Sequence, residues 1–104
     1  MIDYKFKDIK FEKSGVGEQG FVNTPNGYEV SIVRNGFSYG GKKGLYEIGI
    51  YHKDHQHGMV IPEGWTDSVK GWLTPQLVCE ELHMLANSPV KFDKVRAWLA
   101  SIIM

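Results

Sequence analysis

The chain is poor in the features that would place it in a specialised class. One cysteine, Cys79, excludes an internal disulfide and fits a reducing compartment. No apolar run approaches the roughly 18 residues of a membrane span. The stretch MIDYKFKDIKFEKS also lacks the apolar core of a signal peptide, so the expected location is the cytoplasm, with no membrane partner. Neither sign of charge dominates: 12 basic against 12 acidic residues leave no bulk field to gather nucleic acid or anionic lipid, and such a partner would need a local patch. No internal repeat, low-complexity stretch or charge block divides the sequence. What remains is an ordinary globular composition, 42% hydrophobic and 23% charged over 104 residues, which suits one domain across 1–104 and is too short for two.

Within that composition the first half reads as strands. Residues 2–12 alternate imperfectly, Ile2, Tyr4 and Phe6 on one parity and Ile9 and Phe11 on the other, as in a strand that changes face at a bulge. Gly15, Gly17 and Gly20 punctuate an expected loop, and Thr24-Pro25-Asn26-Gly27 carries the chemistry of a tight turn. Tyr28 to Arg34 and Leu45 to His52 alternate cleanly and are expected to pair antiparallel, because no helix lies between them to make a parallel crossover. The glycine-rich segment that joins them, NGFSYGGKKG, exceeds the usual hairpin length and is expected to project from the sheet. Asp54 to Gly58 reads as a turn, and Met59 to Ile61 as a short edge-like strand ending at Pro62.

The period then changes. Thr74-Pro75 is a helix start, and Leu77, Val78, Leu82 and Leu85 recur at helical spacing, so a helix is expected to run to about Asn87. Ser88-Pro89 repeats the start signal, and Phe92, Val95, Leu99 and Ile102 would line a second helix to the terminus, with Trp98 and Ile103 widening its apolar face. Strands first and helices last predict an α+β domain: an antiparallel sheet of three to four strands followed by two C-terminal helices packed on one face.

Several residue groups invite a chemical reading. Gly15-Val16-Gly17-Glu18-Gln19-Gly20 matches the dinucleotide fingerprint GxGxxG, but a Pro-Asn-Gly turn follows where a helix must open. In Phe37, Tyr39, Gly40, Gly41, Lys42 and Lys43, consecutive glycines beside two lysines and two aromatics could cradle an anion, or could form a solvated hairpin loop. It is not a Walker A loop, which must join a strand to a helix. His52, Asp54, His55 and His57 offer imidazole and carboxylate donors, yet a turn carries them and a polar turn without metal is expected. Glu80 and His83 have metal-site spacing but no second such pair, and Cys79 reads as a small buried hydrophobe rather than a nucleophile. Trp65, flanked by loop residues, is a candidate interface anchor or a lid over the sheet end, and Trp72 beside the helix start a candidate hydrophobic staple. Ile102, Ile103 and Met104 are core or the seed of a dimer contact.

From Gly27 to Leu85, the sequence GYEVSIVRNGFSYGGKKGLYEIGIYHKD, followed by DSVKGWLTPQLVCEELHML, resembles small accessory proteins of bacteriophages and prophages. In these a G-Y-x-V-S-V/I-x-R strand, a Y-G-G loop and an L-Y-E strand precede a G-W/Y-L-T helix start. The likeness spans a little over half the chain and carries over no catalytic residues. It implies a phage accessory protein made in a bacterial cytoplasm, of the kind that binds and blocks a host or defence protein. The leading expectation is therefore a non-enzymatic interaction protein and homo-oligomer without cofactor or metal, whose contacts include Trp65, Ile103 and Met104. The alternative is a binder of a small anionic ligand, a nucleotide or nucleic-acid segment, through Phe37, Tyr39, Gly40, Gly41, Lys42 and Lys43. A metal-dependent enzyme at the histidine turn is a third class.

Overall fold

A computed structural model of the chain describes residues 3–15 and 17–94. A 3-10 turn at Phe6–Asp8 leads into strands β1 (Phe11–Ser14), β2 (Gly17–Asn23) and β3 (Tyr28–Arg34). A second 3-10 turn, Gly41–Lys43, precedes β4 (Tyr46–His52), β5 (Val60–Pro62) and β6 (Val69–Leu73); helix α1 (Pro75–Ala86) and strand β7 (Phe92–Lys94) follow. Five strands form one antiparallel sheet in the order β1-β2-β3-β4-β6, and β5 with β7 forms a second, two-stranded sheet.

The two alternating segments pair as their pattern demands, Val30 opposite Ile50 and Ile32 opposite Ile48. The turn before them closes through hydrogen bonds from Thr24 N–H to Tyr28 O at 2.8 Å and from Gly27 N–H to Thr24 O at 3.0 Å, with Gly27 at a φ of +100° that glycine tolerates. Helix α1 starts where Thr74 accepts the Leu77 N–H at 3.2 Å and Pro75 occupies the first turn, and its cap at the other end is Asn87.

The expected sheet of three to four strands with two C-terminal helices is not what forms: the described residues make seven strands and one α-helix. Three local features account for the difference. Gly17 and Gly20 lie within β2 because backbone comes too close for a side chain: a Cβ on Gly20 would sit 2.9 Å from Lys10 O and 3.2 Å from the Ile9 and Phe11 side chains. In β6 the alternation is broken by a bulge, since Gly71 and Trp72 together stand opposite the single residue Glu47, between the pairs Lys70 with Ile48 and Leu73 with Tyr46. Beyond Pro89, Phe92–Lys94 is extended and pairs with β5, Pro62 opposite Phe92 and Val60 opposite Lys94, so a distant partner overrides the local helix signal. The remaining positions of that expected helix, Val95 to Met104, lie outside the described residues. Near the N-terminus the parity change between Phe6 and Ile9 comes from the 3-10 turn, not from a bulged strand.

One face of the large sheet carries the core. Val30, Ile32, Ile48 and Ile50 are fully buried there, in one cluster with Val78, Leu82 and Leu85 of α1, each side chain contributing about 1.5–3 kcal/mol by leaving water. Phe6, Phe11 and Tyr46 close one end of it with ring centres 5.1–5.6 Å apart. Lys70 reaches from β6 to Glu81 of α1 at 2.9 Å, tying the helix to this same side. No helix among the described residues is long and apolar enough to cross a membrane.

Candidate functional site

Register fixes which side chains point away from α1. Because successive strand residues alternate faces, the neighbours of the buried positions form three outward rows: Glu12, Gln19, Val33 and Glu47; Phe21, Ser31, Gly49 and Val69; Asn23, Glu29 and Tyr51. The hydrogen bond from Gln19 to Ser31 Oγ at 2.9 Å runs between the first two of these rows. No described secondary-structure element lies over this face; the Met59 side chain does reach it, with its Cε 2.7 Å from where a Gly49 Cβ would stand. Phe21 is 66% exposed here and Tyr51 38%.

The segment after β3 adds to this face instead of projecting freely. Asn35 Oδ1 accepts the Phe37 and Ser38 N–H groups at 2.7 and 2.9 Å, which curls the chain back. Outward-facing Glu47 then accepts the Tyr39 N–H at 2.8 Å, and Tyr39 O accepts the Trp72 N–H of the β6 bulge at 3.1 Å. Gly71 is required at this junction, since any side chain there would collide with Tyr39. Gly40 is needed for the same reason and for its φ of +87°: its Cβ would approach Trp72 Cα to 2.9 Å. Trp72 itself has a φ of 60°, strained for a bulky residue by about 1–3 kcal/mol, and is 58% exposed. It is not the helix staple; the residue before the cap, Leu73, is buried in the cluster that holds Val78. Tyr39 at 60% and Phe37 at 96% exposure complete a set of uncovered aromatics on and beside one sheet face. Gly71→Ala is expected to lower stability by about 1–3 kcal/mol through overpacking and to speed hydrogen exchange of the Trp72 amide. An unchanged melt with unchanged exchange would show that Tyr39 is not seated there.

Most of the amide donors that an anion cradle would use are engaged within the protein. Besides the amides of residues 37–39, Gly41 N–H donates to Ser38 O, Lys43 and Leu45 N–H to Gly40 O, and Gly44 N–H to Gly41 O, each at 3.0 Å. Lys42 and Lys43 remain exposed, Gly40 is buried and Gly41 half-buried. The GxGxxG glycines lie on the β1–β2 hairpin and within β2, without the helix that motif requires.

The histidine turn divides by role. His52 is buried, its Nε2 3.0 Å from Asn26 O and its Nδ1 3.1 Å from the Asp54 N–H. A carbonyl can only accept and an amide only donate, so Nε2 donates to Asn26 O and Nδ1 accepts from Asp54 N–H, with neither nitrogen left for a metal. His57 is exposed with its ring centre 6.3 Å from that of His55, whose buried Nε2 has no hydrogen-bond partner. Among the described residues no three His, Cys, Asp or Glu side chains gather as a metal site. Cys79 lines a groove of about 430 Å³ with Asp3, Tyr4, Glu80 and His83. Burial pushes its thiol pKa up, and the Asp3 charge adds to this, the reverse of what a nucleophile needs.

Trp65 sits half-buried against the core, with Lys70 Nζ 4.1 Å from its ring centre. It lines clefts of about 180 and 160 Å³ beside Pro62, Glu63 and Lys91, below the roughly 300 Å³ of ordinary small-molecule sites. Ile103 and Met104 lie outside the described residues. Strand parity does not reveal Phe21, since the glycines at 15, 17 and 20 read as a loop, nor Trp72, since the bulge hides the alternation. Compared with family models, curated proteins and solved structures, the chain matches none.

Proposed function

We propose that this chain is a non-enzymatic interaction protein of the phage accessory kind, which acts in a bacterial cytoplasm by binding and blocking a host or defence protein. The observation that supports it is the sheet face turned away from α1, where Phe21, Tyr39 and Tyr51 are exposed together. An antiparallel sheet with one solvated face normally presents polar residues there, and exposed aromatics are among the residues that dominate interface energies. The anionic-ligand alternative has less behind it, since most amides of the loop, those of Phe37, Ser38, Tyr39, Gly41 and Lys43 among them, are bonded internally.

The test is affinity capture from bacterial lysate, with the wild-type chain beside a Phe21→Ala/Tyr39→Ala/Tyr51→Ala variant. A specifically retained protein should fall at least about tenfold on the variant, the equivalent of about 1.4 kcal/mol, while the melting temperature holds. Equal retention would remove the reading. A nucleotide-dependent rise in melting temperature that vanishes in Lys42→Ala/Lys43→Ala would put the anionic-ligand alternative in its place.

A further inference from the structure

We draw no further inference here: the strongest candidate, the sheet face turned away from α1 where Phe21 and Tyr51 are exposed, belongs to the site already described, and nothing in the structure shows what covers it.

Discussion

Replacing His52 with alanine is expected to lower stability by about 4 kcal/mol, the sum of a core-sized void and two polar groups left without a partner. The imidazole stands edge-on to Tyr28 at 5.0 Å between ring centres and lies 4.9 Å from Phe92. It bonds the Asn26 carbonyl and the Asp54 amide, so one side chain joins the first turn, the end of β4 and strand β7. The same turn grips α1, because the Asn26 amide donates to Leu85 O at 2.8 Å and to Ser88 O at 3.2 Å. Loss of the ring should therefore loosen the two-stranded sheet before the five-stranded one. Urea unfolding measures the total, and hydrogen exchange at Val60 to Pro62 against Val30 to Ile32 measures the order. A cost below about 1 kcal/mol would mean that water replaces the imidazole without penalty and that His52 is no keystone.

Two substitutions three residues apart on β4 should differ by several kcal/mol. Ile48 is fully buried among Ile32, Val78 and Leu82, and truncation to alanine removes three carbons from a packed interior at about 3–4 kcal/mol. Tyr51 points to the other face beside Glu29 and is partly exposed, so Tyr51→Ala should cost no more than about 1 kcal/mol. Thermal melts of the two variants should separate by roughly 8–20 °C at this chain length. If Tyr51→Ala proved as costly as Ile48→Ala, the outward face would be a second core, and the interaction reading would lose its ground. A small effect at both positions would contradict the placement of α1.

The clean alternation of Tyr28 to Arg34 made one strand legible to the residue, and Thr74-Pro75 made the helix legible from its cap to Asn87. Both depend on neighbours within a turn or a pleat. The candidate face was not legible. Three glycines in the stretch from Gly15 to Gly20 carry the same local signal whether a chain loops freely or passes close to another backbone, and only the distance from Gly20 to Lys10 O and Phe11 tells these apart. Trp65, flanked by loop residues, is half-buried against the core, whereas Trp72, expected to staple the helix, is largely exposed at a bulge.

The turn at Thr24 to Gly27, the parity of β3 and β4 and the capped start of α1 were thus determined by the sequence itself, since φ preferences, side-chain caps and alternation act over a few residues. Tertiary structure alone decided that Phe92 pairs with Pro62, that His52 lies between Tyr28 and Phe92, and that Phe21 and Tyr51 come out on the sheet face turned away from α1. The reason is range. A strand's partner, and hence the face each residue shows to water, is set by which distant segments bury the most apolar surface together, and no window along the chain contains both halves of that comparison.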